Sequence, residues 1–351
     1  MTFVIEFPFT VTDLSALRFA YSPLWELVAS LRVLAAPGQH AVHLPWATEA
    51  SQRLAVAPLA DDPDLALARQ LVPATGYIPD FLTPPPTSTM PSLDAELAAV
   101  AATPPAQVRA DLVACTDDLR ADRLDGNHRS GTSIGELADD PALVLPRLVA
   151  ALRRYWDEVL ARHWPRIRAV LEADVAFRSR RLAVGGVRDL FADLHSTVRW
   201  HGDRLLVSRH HDHDHRVDLD GRGLVLIPCA FVWPYTLVMC EGNWQPTVIY
   251  PVRGVGSLWE RGRCAPDGLA AVLGRTRADL LAGLGGPAST GELADRLGVT
   301  AGAVSQHLGV LRSAGLVATE RLGRTAVHSR TPVADRLVAA AIASVSSSAI
   351  T

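Results

Sequence analysis

The chain has 351 residues, 48% hydrophobic and 20% charged, with a net charge of −3, which leaves room for two domains and an ample core. Every one of its 34 basic residues is arginine, and the near-neutral total excludes the simplest nucleic-acid signature, a domain with a pI above ~9. The total hides an asymmetry: residues 265–351 carry 8 Arg against 6 acidic residues and residues 1–264 carry 26 against 31, so a polyanion belongs with the C-terminal quarter.

In chain order, the N-terminus lacks a basic run and places Glu6 inside its first apolar stretch, which argues against a signal peptide. After Ser22-Pro23, Leu24, Leu27, Val28, Leu31 and Leu34 recur at spacings of three and four. They predict an amphipathic helix that stops near Pro37-Gly38. Further helix is expected over Glu49 to Ala57 and Pro63 to Val72, and the proline-rich stretch Leu82 to Ser92 reads as an exposed connector. From Ser92 to Ala183 the pattern is mainly helical. Leu148, Leu152, Trp156, Val159, Ile167 and Leu171 fall at helical intervals there, and Pro165 is expected to kink or break the run.

Past Gly185-Gly186 the runs shorten to Leu205-Leu206-Val207, Leu224 to Ile227 and Val248 to Tyr250, predicting a small antiparallel sheet. The uncharged run Gly223 to Cys240 is nearly long enough for a bilayer, but Pro228 and Pro234 interrupt it and its β-branched and aromatic content suits buried strands. No membrane partner is expected. Cys115, Cys229, Cys240 and Cys264 are scattered, without a C-x-x-C pair, so the expectation is free thiols in a reducing cytoplasm.

Two groups in this region invite a ligand. If Arg209 to His215 is extended, His211, His213 and His215 share a face suited to zinc or nickel. An exposed hairpin between Leu205-Leu206-Val207 and Arg216 to Leu219 accounts for the same string, and no bound metal or other cofactor is expected. Trp233, Tyr235, Trp244 and Tyr250, with Trp259 nearby, are candidate walls of a small-molecule effector pocket, a role that a β core would claim equally. Asp193, His195 and Ser196 are too close in sequence to converge as a triad, and there is no G-x-S-x-G elbow.

From Asp267 short helices return, with Leu269, Val272 and Leu273 in one and Leu280, Leu281 and Leu284 in the next. Ser289-Thr290-Gly291-Glu292 is a capping box that starts a helix ending at Gly298, and Thr300 can cap another beginning at Ala301. In that second helix Val304, Leu308 and Leu311 form the inner face, while Gly302, Gln306, Gly309 and Ser313 lie opposite, flanked by Ser305 and Arg312. Small residues with one amide, a hydroxyl and an arginine suit a recognition helix in a major groove. A strand, a glycine-containing turn and a second strand follow, with Arg321 and Arg324 at the tip, the arrangement of a wing that reaches minor groove or phosphate. Thr331-Pro332 opens a last helix.

Residues Leu273 to Val338 resemble the DNA-binding domain of ArsR/SmtB-type winged-helix repressors. The run Ala303-Val304-Ser305-Gln306-His307-Leu308, continued by Leu311-Arg312-Ser313-Ala314-Gly315-Leu316-Val317, matches that family's S-x-H-L-x-x-L-x-x-A-G-L-V pattern. The whole chain is also similar to actinobacterial regulators of this type that carry a long N-terminal domain of unassigned function, through Leu24-Trp25-Glu26-Leu27 and Trp244-Gln245-Pro246-Thr247. The resemblance implies a homodimer joined by the first and last helices of the domain, Ser305 and Gln306 reading bases, Arg324 at the wing tip, and repression relieved by a ligand. The residues assigned to double-stranded DNA are therefore Thr300, Gly302, Ser305, Gln306, His307, Arg312, Arg321 and Arg324. The family's metal-sensing positions read Glu292-Leu293-Ala294-Asp295-Arg296 and Val333-Ala334-Asp335-Arg336-Leu337 here, without cysteine, so metal sensing there is not expected.

The expected class is α+β and mainly helical: a helical region to about residue 183, a strand-rich stretch over 184–264, and a winged helix over 265–351. The expected function is a cytoplasmic, ligand-responsive, dimeric regulator and not an enzyme. A metal-dependent enzyme built on His211, His213 and His215 is the alternative.

Overall fold

The computed structural model describes residues 3–56, 59–122, 132–209, 215–240, 244–259, 267–297, 299–322 and 325–348. The chain divides into two units, Met1–Val255 and Gly256–Thr351. Its class is α+β and mainly helical.

The first unit opens with β1 (Phe3–Pro8), α1 (Val11–Ser15), β2 (Arg18–Phe19) and α2 (Pro23–Ala35). Six helices follow before the longest one: α3 (Leu44–Val56), α4 (Pro63–Leu71), α5 (Leu93–Ala101), α6 (Pro105–Asp122), α7 (Thr132–Asp139) and α8 (Pro141–Val159). Then come α9 (Trp164–Phe191), β3 (Val198–His201), β4 (Arg204–Arg209), β5 (His215–Arg216), β6 (Val225–Cys229), β7 (Leu237–Met239) and β8 (Thr247–Pro251).

The α2 helix starts as its sequence dictates, with the Ser22 hydroxyl accepting from the Trp25 amide and Pro23 at the first position. The amphipathic pattern misjudges its surroundings, since every residue from Pro23 to Leu31 is buried. The two polar positions in that stretch go inside because each finds partners there. Glu26 accepts from backbone amides of the chain after β6, and Ser30 bonds the Tyr155 hydroxyl at 2.8 Å.

The run expected to break at Pro165 does so: α8 ends at Val159 and Pro165 sits in the first turn of α9. Gly185-Gly186, in contrast, does not end the helical region. Gly186 adopts φ +70 and kinks α9, which continues to Phe191, so strands begin only at Val198. The strands form two four-stranded sheets, each mixing parallel and antiparallel pairs, in place of the single antiparallel sheet expected. One has the order β3-β4-β1-β5 and the other β2-β6-β8-β7. The difference arises because β1 and β2, more than 170 residues upstream of β3, supply a strand to each sheet, a long-range pairing that local pattern cannot reveal. Phe7, Leu205, Val207, Leu226, Val248 and Tyr250 are fully buried in the core that these strands share with the end of α9.

The second unit contains α10 (Asp267–Leu273), α11 (Arg275–Gly283), β9 (Ala288–Ser289), α12 (Thr290–Leu297), α13 (Ala301–Ser313), β10 (Val317–Leu322), β11 (Thr325–Arg330) and α14 (Pro332–Ser348). Its core is aliphatic: Leu280, Leu281, Leu293, Val304, Leu308 and Leu311 are at most 3% exposed. α13 ends in a Schellman turn, with the Gly315 amide on the Arg312 carbonyl, the Leu316 amide on the Leu311 carbonyl, and Gly315 at φ +68. That reversal feeds Val317 straight into the hairpin β10-β11, and β9 extends it to three strands in the order β10-β11-β9.

Candidate nucleic-acid interface

The capping box forms as the sequence requires: the Glu292 amide donates to the Ser289 hydroxyl at 3.3 Å, and the Ser289 amide donates to the Glu292 carboxylate at 2.7 Å. Thr300 caps α13 by accepting from the Ala303 amide at 3.3 Å. With Val304, Leu308 and Leu311 committed to the core, the helix presents Gly302, Ser305, Gln306, Arg312 and Ser313 as exposed residues, and His307 is half-buried at the edge of this face. Gly302 leaves the start of this face low, and Gln306 and Arg312 extend from it.

Arg321 is exposed on β10, across from Ala326 of β11. Arg324 lies outside the described residues. One residue that sequence reasoning missed holds the wing in place. His328 on β11 is buried, and its ring nitrogens meet the Thr290 hydroxyl at 3.1 Å and the Thr319 hydroxyl at 2.9 Å. Burial, and secondarily the Arg312 guanidinium, lower its pKa, so a neutral ring joins the start of α12 to both wing strands. No local signal marks it, because both partners come from other elements.

In the first unit the structure separates the four aromatic residues proposed for an effector pocket. Tyr250 is fully buried and donates to Asp174 at 2.8 Å, next to the ion pair of Asp174 with Arg178. Trp244 is half-buried, and its carbonyl accepts from Arg222. Of the four, only Tyr235 is among the residues lining a small cleft, with Ala29 and Arg32 of α2, His40, Ile78, Phe231, Val232 and Leu237, and that cleft has room for about one water molecule. Trp233 contributes a backbone carbonyl there, which accepts from His40 Nδ1 at 2.8 Å.

His211 and His213 lie outside the described residues, and His215 is exposed on β5 beside Ile5 of β1. Among the described residues no group of three metal-binding side chains comes together. His195 is occupied by Thr197 and the Pro234 carbonyl, while Asp193 pairs with Arg178 and Arg181. The triad reading therefore has no geometry behind it. Also among the described residues, no helix is long and apolar enough to cross a membrane.

Comparison with known proteins places the second unit in the same class as its geometry, since residues 273–320 match a helix-turn-helix domain. Residues 1–256 match a family of unknown function, DUF5937, and the chain belongs to that family. No curated protein and no solved structure matches the chain.

Proposed function

We propose that this chain is a DNA-binding transcriptional regulator of the ArsR/SmtB winged-helix type, acting as a homodimeric, ligand-responsive repressor. The observation that carries the reading is the division of α13 into a buried aliphatic face and an exposed face of Gly302, Ser305, Gln306 and Arg312, backed by Arg321 on the adjoining strand. Such a face approaches base edges closely, and the flanking arginines and the Thr300 cap supply phosphate contacts.

Dimerisation is supported by the apolar residues that α10 and α14 leave outside: Val272 is 78% exposed, Val333 54% and Leu337 36%. A second copy covering this face would set two α13 helices in successive major grooves, ~34 Å apart. Effector binding is assigned to the first unit, much the longer of the two.

A footprint of the full-length protein on DNA upstream of its own gene tests the reading. Two protected tracts one helical turn apart are expected, with salt-sensitive retention. Gln306→Ala should weaken binding to that site by ~1–3 kcal/mol and leave random DNA nearly unaffected. Equal losses on both would remove base reading from Gln306, and failure to retain any duplex would end the proposal.

A further inference from the structure

His328 sits on the middle strand of the wing sheet, opposite Thr319 of β10 on one side and Ala288 of β9 on the other, and is 7% exposed. Its Nδ1 lies 2.9 Å from the Thr319 hydroxyl, and its Nε2 lies 3.1 Å from the Thr290 hydroxyl at the head of α12. Among the described residues neither hydroxyl has a second partner. A neutral imidazole has one N–H and one bare nitrogen, so it donates to one threonine and takes the proton of the other. That second hydroxyl then turns only lone pairs outward. An imidazolium donates to both, which frees both hydroxyl protons to point away from the ring. The bridge therefore holds in either charge state, but only the charged ring makes two outward donors.

Thr319 is exposed and shares a face of β10 with Arg321 by alternation, and Thr290 is half-buried in the first turn of α12. The groups around the ring set its charge. Burial, and then the Arg312 guanidinium of α13, favour the neutral form in the free protein. The carboxylates of the neighbouring elements are engaged elsewhere: Glu292 of α12 is held by Ser289, Asp335 of α14 pairs with Arg330 of β11, and Glu320 of β10 lies on the other face of the sheet. A phosphate backbone drawn up to Arg312, Arg321 and Thr319 would supply the missing negative charge.

We propose that Thr290, His328 and Thr319 form a proton-linked phosphate clamp: on binding duplex DNA, His328 takes up one proton from solvent and the two threonine hydroxyls donate outward to backbone phosphates beside the wing. The clamp deepens the DNA-binding role given above and rests on it.

The test measures the affinity of the full-length protein for a rhodamine-labelled duplex of random sequence, at one low salt concentration, from about pH 6 to about pH 8. Uptake of one proton weakens binding by up to ~tenfold per pH unit as pH rises. His328→Asn keeps a polar partner for Thr319 and cannot titrate, so the parent's affinity should fall at least about threefold further than the variant's over this range. His307 and the other titrating groups are common to both proteins and cancel in the ratio. Thr319→Val, isosteric and made at an exposed position, should weaken binding to every duplex and flatten the pH dependence. Calorimetry of the parent and Thr319→Val in two buffers of different ionisation enthalpy counts the protons with the ring unaltered, and the parent should take up more. Equal pH dependence in the parent and His328→Asn overturns the clamp, as does equal proton uptake by the parent and Thr319→Val. DNA retention indifferent to pH removes the clamp alone, whereas no retention at any pH removes the DNA-binding reading and the clamp with it.

Discussion

The two units treat buried polar groups in opposite ways. Among the described residues of the second, the buried set is leucine, alanine and valine with His328 as the polar exception. The first buries Glu26, Glu96, His43, Asp174 and Arg178, none more than 4% exposed. Asp174 and Arg178 pair with each other one helical turn apart, but the other partners are distant in sequence: Glu26 accepts from the amides of Ala230 and Phe231, Glu96 from Ser22 and Leu24, and Asp174 also from Tyr250. The second unit is thus specified by a local aliphatic period and spends its polar residues on its outer face, where DNA would be met. The first is pinned by long-range hydrogen bonds, whose loss leaves a charge or a donor stranded in the interior.

The largest effect expected from this contrast is at the ion pair of α9. Arg178 and Asp174 are 3.0 Å apart with both side chains wholly buried, and Asp174 also accepts from the Tyr250 hydroxyl at 2.8 Å. Arg178→Met leaves that carboxylate without its counter-charge and should cost ~3–5 kcal/mol. Urea unfolding followed by tryptophan fluorescence reads mainly the first unit, since seven of the eight tryptophans precede residue 256. A loss below ~1 kcal/mol would mean that the pair is solvated and that the contrast between the units is overstated.

A smaller effect should appear as a pH dependence. Burial pushes the Glu96 carboxyl up to about 8, against the opposing pull of the Ser22 hydroxyl and the Leu24 amide. A folded-state pKa above the unfolded value of ~4.3 means that the native chain holds the proton more tightly. Its stability contribution is therefore full below about pH 4 and is lost as pH rises through about 8. Glu96→Gln keeps an acceptor for Leu24 and a polar contact for Ser22 while removing the titration. The variant's unfolding free energy from urea titration should fall less between pH 5 and 8.5 than the parent's, by at most a few kcal/mol. Glu26, pushed up to about 7 by burial, titrates in both proteins and cancels in the difference. Parallel curves would place Glu96 in contact with water.

The same contrast explains what the sequence made legible. Ser289, Thr300 and Gly315 announce the ends of α12 and α13 because caps and left-handed turns are decided within a few residues, and Val304, Leu308 and Leu311 announce the inner face by period alone. In the first unit the Leu24 to Leu31 spacing predicts the α2 helix but not that Glu26 and Ser30 are inside it, because their partners lie 204 and 125 residues away. Gly185-Gly186 reads as the end of the helical region; Gly186 does break the helical path at φ +70, but a further helical segment runs on to Phe191. Tyr250 reads as a pocket wall by composition and is taken into the core by Asp174. His40 and His328 carried no signal, since what distinguishes each is the company of residues from other elements.

The smallest effect, and the one that bears most directly on the interface, compares two caps of the second unit. Ser289 receives the Glu292 amide and Thr300 the Ala303 amide, both at 3.3 Å, so replacing either with alanine should destabilise its helix by ~0.5–2 kcal/mol. Hydrogen exchange of the α12 and α13 amides reads this directly. The two residues part company at DNA. Ser289 is half-buried at the start of α12, away from the face assigned to DNA, whereas Thr300 is exposed at the N-terminus of α13, where unpaired amides and the helix dipole favour a phosphate. Ser289→Ala should therefore lower protection and leave DNA affinity alone. Thr300→Ala should lower both, by a similar factor on every duplex, and Thr300→Ser should restore both. If Thr300→Ala reduces protection of α13 while DNA affinity stays at the parent's value, Thr300 is a cap only and the phosphate contact at the head of the recognition helix must come from another residue.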